Sequence, residues 1–182
     1  EGVYHVAGDN EGMGAACAEY IVDKIGTTGT VVMLNVPSSG SVSELRQKGF
    51  EDKIAEIAPD MNVITYATEF TREAGLSDFS DAVFSMDDET SIGVLQAIEE
   101  AGRTDIKVVT GGGGMQEYFN MMSENQDIWI QSATYSPSMI EDAVDMAVSI
   151  MNGEEVEQEV IIPTTVVDRD NVEEFLDASA PY

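Results

Sequence analysis

The stretch Asp81–Gly114, DAVFSMDDETSIGVLQAIEEAGRTDIKVVTGGGG, decides the fold. Its apolar run, Ala82-Val83-Phe84, ends in a polar knot, Asp87-Asp88-Glu89-Thr90. Ile92, Leu95, Ala97 and Ile98 then recur on one face of a helical pattern, and Gly102 closes it. A second apolar run, Ile106 to Val109, opens into the glycines Gly111 to Gly114. Strand, helix, strand at this spacing suits a right-handed parallel crossover. In such a sheet ligands sit in the crevice at the carboxyl ends of the strands. The acidic knot and the glycines both fall at such ends.

Outward from this stretch the same unit repeats. Val3 to Ala7 reads as a strand, and Asp9 or Asn10 caps a helix from Glu11 to Ile25, with Met13, Ala16, Cys17, Tyr20, Ile21 and Ile25 inward. Val31 to Val36 is a buried strand with the loop Pro37-Ser-Ser-Gly40 at its carboxyl end. Ser41 or Ser43 caps a helix to Ile57, with Leu45, Phe50, Ile54 and Ile57 inward, and Val63 to Thr68 is the next strand. Glu69–Ser80 leaves room for one short helical turn, Arg72 to Leu76. Beyond the central stretch, Met115–Ser123 is a helix, Ile128–Thr134 a strand, and Ser136-Pro137 starts a helix to Met151. Val160–Ile162 and Thr165–Val167 are extended, and Asp168 or Asp170 caps a short helix, Val172–Leu176. Six or seven strands with helices between them give an α/β doubly wound parallel sheet in three layers, αβα.

Eight basic against 35 acidic side chains give a formal net charge of −27, which makes nucleic acid or an anionic membrane surface a poor partner. The single cysteine excludes an intrachain disulfide, and its alanine-rich setting marks Cys17 as a core residue rather than a nucleophile. No serine has a histidine within motif range, and no His/Cys spacing suits a metal, so neither enzyme chemistry, a metal nor a cofactor is expected. The glycine run lacks the Lys-Ser/Thr of a P-loop and the spacing of a dinucleotide fingerprint. It reads as a cleft turn that leaves space for a ligand rather than a phosphate cradle. Asp87-Asp88-Glu89 reads as a helix start rather than a converging cluster. Arg46 reads as a surface residue paired with Glu44 or Glu51, or as a ligand donor near a strand's carboxyl end.

In order, five pieces carry a family resemblance. They are Gly8-Asp9-Asn10 before a small-residue helix; Ser41-x-x-x-x-Arg46-x-x-Gly49-Phe50; Asp81-Ala-Val-Phe-Ser-Met-Asp87-Asp88-Glu89 with Gly93; Lys107-Val-Val109 before glycines; and Ile161-Ile-Pro163-Thr-Thr-Val-Val-Asp168-x-x-Asn171-Val172. With them the chain resembles the carboxyl-terminal two-thirds of a type I periplasmic sugar-binding protein of the ribose-binding group. The resemblance implies two α/β lobes that close on a sugar. Residues 1–8 would approach the first hinge, 9–134 form the second lobe, and 135–182 return toward the other lobe and close the chain. Glu1 then reads as the start of a piece of a longer protein or of a processed product.

The resemblance further implies a ligand set. Arg46 falls where the family has an arginine that bonds sugar hydroxyls, a role that suits a guanidinium's fixed fork of donors. Asp87 falls where the family often has Asn, Tyr135 at a polar hinge position, and Phe70 near an aromatic that stacks on the sugar. Gly112 replaces an aspartate that clasps hydroxyls. Pro37 joins the set from the loop on the same edge. The implied function is the solute-binding component of an ABC importer, exported to the periplasm or held at the cell surface as a lipoprotein, with a membrane permease as partner. The effector-sensing domain of a LacI-type regulator shares the fold and is the alternative.

On this reading Ser136 to Pro163, a helix and a strand, belong to the other lobe, which leaves apolar surface exposed. Self-association is therefore expected by light scattering, and a clean monomer would count against this assignment of lobes.

Overall fold

The computed structural model describes residues 2–67 and 80–180. The turn expected at Arg72–Leu76 and the candidate Phe70 lie outside them. In order the elements are β1 (His5–Gly8), α1 (Asn10–Ile25), β2 (Thr28–Asn35), α2 (Ser41–Ile57), β3 (Asp60–Ala67), β4 (Ala82–Ser85), α3 (Asp88–Ala101), β5 (Val108–Gly112), α4 (Gln116–Glu124), β6 (Trp129–Thr134), α5 (Met139–Met151), β7 (Glu159–Ile162) and β8 (Thr165–Asp168). The expected last helix is only a 3-10 turn, Val172–Glu174.

Six strands form one sheet in the order β3-β2-β4-β5-β6-β8. All neighbours are parallel except β6 and β8, so β8 is an antiparallel edge on a parallel sheet. β1 and β7 pair with each other in a separate two-stranded parallel sheet. The apolar runs of β2, β4 and β5 are buried on both faces because helices cover both. On one face Met13, Cys17 and Ile21 of α1 and Phe50 and Ile54 of α2 pack on Val31, Met33, Phe84 and Val108. On the other, Leu95 and Ile98 of α3 and Tyr118 and Met122 of α4 pack on Val32, Leu34, Val83, Val109 and Ile130. The three layers expected from the sequence are present.

Two expectations about α2 are corrected. Leu45 is exposed, and the buried side of the helix carries Ser43, Arg46, Gly49, Phe50 and Ile54. No side chain caps this helix. Ser43 turns inward instead, where its hydroxyl donates to Asn35 Oδ1 at 2.8 Å and accepts from the Val36 amide at 3.2 Å. The helix faces the sheet this way because α1 crosses it at backbone contact. A Cβ on Gly14 would lie 1.9 Å from the Arg46 carbonyl oxygen, and one on Gly49 would lie 2.0 Å from that of Glu11. Only glycine lets the two helices approach so closely.

α5 differs from the other helices. Ile140, Val144 and Val148 share one face at helical spacing, and they are 67%, 54% and 50% exposed. Its other contacts reach β1 of the small sheet.

The helix crossing makes a stability prediction. Gly14→Ala and Gly49→Ala should each lower the unfolding free energy by about 1–3 kcal/mol, the range for overpacking a tight site. Gly93→Ala, on exposed α3 backbone with nothing within 4 Å of the new methyl, should raise it by about 0.5–1 kcal/mol. Urea unfolding curves read both signs. Equal effects for Gly14→Ala and Gly93→Ala would contradict the close crossing.

Candidate functional site

Strand order reverses between β2 and β4. From β2 the chain moves outward through α2 to β3, and from β4 it moves the opposite way through α3 to β5. At such a switch point the connecting helices diverge and open a crevice at the carboxyl ends of the strands. Arg46 spans this point. It sits in the second turn of α2, after β2, and is 8% exposed. Its Nη1 donates to the carbonyl of Met86, just past β4. Its Nε donates to Asn10 Oδ1 at 3.0 Å. A Cβ on Gly112, at the end of β5, would lie 3.3 Å from Nη1. Arg46 thus ties α1, α2, β4 and β5 together at one edge.

The expected pairing of Arg46 with Glu44 or Glu51 is not found. Its two partners are neutral, and Nη2 has no hydrogen bond among the described residues. In a chain with 35 carboxylates, a guanidinium this buried and without a carboxylate partner is unusual. The charge is met by neutral acceptors at Nε and Nη1, which leaves donor capacity on Nη2.

The acidic knot resolves into two caps. Asp87 Oδ1 accepts from the Thr90 amide at 2.7 Å and starts α3. Asp88, the next residue, is 2% exposed and points under the edge. Its Oδ2 accepts from the amides of Gly114 (2.8 Å) and Met115 (2.9 Å) and from Ser132 Oγ (2.9 Å). Those two amides lie just ahead of α4, at its N-cap Met115 and the residue before it, and α4 has no side-chain cap of its own. Burial pushes the Asp88 carboxyl up to about 6, helped by the charge of Asp87, while the two amides and the Ser132 hydroxyl pull it down. Tyr118 beside it is raised by burial and then by Asp88.

The glycines are not one turn, as the sequence suggests. Gly111 and Gly112 are buried strand residues in register with Ser132 and Ala133. Only Gly113 (φ +133°) and Gly114 (φ +86°) turn the chain. Gly113 donates to the Ala133 carbonyl at 3.0 Å, and the next two amides go to Asp88. With all three engaged, the turn offers no anion cradle.

Tyr135 follows β6 and lies against the end of β1, where a Cβ on Gly8 would come 2.1 Å from its ring. It marks the junction between the two sheets. Pro37 heads an exposed 3-10 turn after β2, on the same edge. Cys17 is a core residue, its thiol pushed up to about 12 by burial. Trp129 lies at the opposite pole, between Lys24 (4.3 Å) and Arg169 (4.0 Å). A groove of about 700 Å³ also lies at that pole, between α3 and α4, and none of the expected site residues lines it. In the sequence Asn10 and Asp88 read only as helix-start residues, and nothing marks Ser132. The usable signal was the start of α4, Gly114-Met115-Gln116, which has no capping residue and so requires one from elsewhere.

The raised carboxyl of Asp88 makes a pH prediction. Its folded value, about 6, exceeds the unfolded 3.8. Its contribution to stability is therefore full below about pH 4 and lost as pH rises through about 6. Asp88→Asn should remove up to about 3 kcal/mol of the difference in unfolding free energy between pH 4 and pH 7.5. Denaturant melts of both proteins at the two pH values check this; identical pH profiles would contradict it.

Residues 1–155 match the family described as periplasmic binding protein domain. The xylitol-binding protein of Mycolicibacterium smegmatis is 28% identical over 182 residues, covering 93% of this chain and 51% of that protein. The ribose import binding protein of Escherichia coli K12 is 32% identical over 119 residues, covering 60% and 40%. The chain thus spans about half the length, or less, of these relatives. The periplasmic binding protein of the arabinose ABC transporter from Shewanella sp. ANA-3, solved with arabinofuranose, shares the fold: TM-score 0.82 at 23% identity, covering 95% of this chain and 62% of that one. With the doubly wound sheet and its switch-point edge already in view, these matches place the chain in the periplasmic binding protein domain family.

Proposed function

We propose that the chain is part of a solute-binding component of an ABC importer, and that it captures a sugar or polyol at the edge where β2, β4 and β5 end. The observation that carries this reading is Arg46, held across the switch point by neutral acceptors with one nitrogen to spare. Relatives named for binding xylitol and ribose support the ligand class. Asp87, Gly112 and Tyr135 would border the ligand, Pro37 would stand at the rim, and Phe70 completes the candidate set.

The lobes follow from the two sheets. Residues 9–134 would form one lobe and residues 1–8 the approach to it. The chain would cross at Gly8-Asp9, at Tyr135 and again at Pro163-Thr164, with α5 and β7 belonging to the second lobe. The exposed face of α5 and the separate pairing of β1 with β7 support this division. Closure of the lobes would then trap the ligand by shifting an open–closed equilibrium. Export to the periplasm, tethering as a lipoprotein and delivery to a permease complete the role. Binding without turnover is the expected behaviour, as the relatives' names indicate.

A thermal-shift panel of monosaccharides, sugar alcohols, nucleosides and furanoses tests the reading. At a ligand concentration 100 times Kd the stabilisation should be about 2.7 kcal/mol. Arg46→Ala should weaken the best ligand at least tenfold, about 1.4 kcal/mol. Unchanged affinity in Arg46→Ala would remove Arg46 from the site, and product formation from any panel member would replace binding with catalysis.

A further inference from the structure

Asp88 is a costly way to begin a helix. Its carboxylate is almost wholly removed from water, and only one of its two oxygens is used. Oδ1 is buried with no hydrogen-bond partner. A buried polar atom left without a partner calls for an explanation beyond stability. The surroundings are shaped to keep the carboxylate there. A Cβ on Gly111 would come 2.6 Å from Asp88 Oδ1 and 2.6 Å from Ser91 Oγ, so that strand position admits no side chain. Three donors from two separate elements converge on Oδ2: the amides of Gly114 and Met115 at the start of α4, and the hydroxyl of Ser132 in β6. The backbone so held follows directly on Gly112, which lies against Arg46.

We propose that Asp88 is the positioning residue of the ligand edge: through Oδ2 it fixes the Gly113–Met115 backbone against β6, and so sets the wall beside Arg46. This rests on the reading of that edge as the ligand site. Asp88 touches no ligand in this role. It acts through the turn, and the turn's glycines, with positive φ at Gly113 and Gly114, would otherwise sample many conformations. The neighbouring Asp87 has a different duty, because it caps only its own helix.

Amide hydrogen exchange on the intact chain, together with calorimetry using xylitol and D-ribose, tests the proposal. Asp88→Ala should speed exchange at Gly114 and Met115 at least tenfold beyond any change elsewhere in α4, and should weaken whichever sugar binds the parent at least tenfold. Asp88→Asn keeps one acceptor oxygen and should restore most of the protection and affinity. Asp87→Ala should loosen the start of α3 while leaving the Gly114 and Met115 amides protected. Ser132→Ala removes one donor only and gives a second arm should Asp88→Ala not fold: exchange at the same two amides should rise by a smaller factor. Unchanged protection at both amides in the Asp88 and Ser132 variants overturns the proposal. Lost protection with undiminished sugar affinity overturns it too, because the turn would then not be part of the ligand wall. A parent chain that binds neither sugar counts against the binding reading for these ligands, whereas the exchange result still decides whether Asp88 holds the turn.

Discussion

Two adjacent carboxylates organise the edge where β4, β5 and β6 end. Asp87 caps α3, the helix it begins, and Asp88 reaches beneath the sheet's end to cap α4 and to hold Ser132 of β6. The ends of β4, β5 and β6 are thereby fixed relative to one another by one dipeptide. The physical basis is that each helix start leaves amides that must find acceptors. α3 carries its acceptor locally. α4 begins after a two-glycine turn with no polar side chain of its own, so its acceptor has to arrive from another element. The three hydrogen bonds to Asp88 Oδ2 thereby tie a glycine turn to β6.

The second constraint is the crossing of α1 and α2. Gly14 and Gly49 let the two backbones touch, and that contact turns Arg46 inward rather than out to solvent. An arginine on a helix surface of this chain would find one of many carboxylates. Buried at the switch point it finds Asn10 and a backbone carbonyl instead. The helix packing that stabilises one face of the sheet also takes the Arg46 guanidinium out of water at the switch point. The formal net charge of −27 bears on solubility and on which partners are repelled.

Much of the architecture is written in local pattern. The apolar runs, the helical spacing of Ile92, Leu95 and Ile98, and the terminators Gly26 and Gly102 place the elements and the αβα layering. What local pattern does not carry is which side of a helix faces in when a neighbouring helix decides it. Leu45 looks like a core residue and Arg46 like a surface one, and the Gly14–Gly49 crossing reverses them. The glycine run shows the same limit. Four identical residues divide into two buried strand positions and two turn positions because Gly111 must clear Asp88 and Ser91, contacts made across 20 or more residues of chain. The antiparallel placement of β8 is likewise a tertiary choice, since Thr165–Asp168 reads equally well in either direction. For the site, Arg46, Asp87, Gly112 and Tyr135 came from motif resemblance, and the structure gathers the first three at one edge with Tyr135 at the sheet junction. Asn10, Asp88 and Ser132 serve those residues through hydrogen bonds that no spacing rule announces.

The central claim is that ligand lies at the switch-point edge beside Arg46. A crystal structure of the protein grown with the sugar or polyol that most raises its melting temperature tests it most directly. The ligand should sit at the carboxyl ends of β2, β4 and β5, with one of its hydroxyl oxygens within hydrogen-bond distance of Arg46 Nη2. A ligand seated instead in the groove between α3 and α4 at the far pole, with Arg46 untouched, would contradict it.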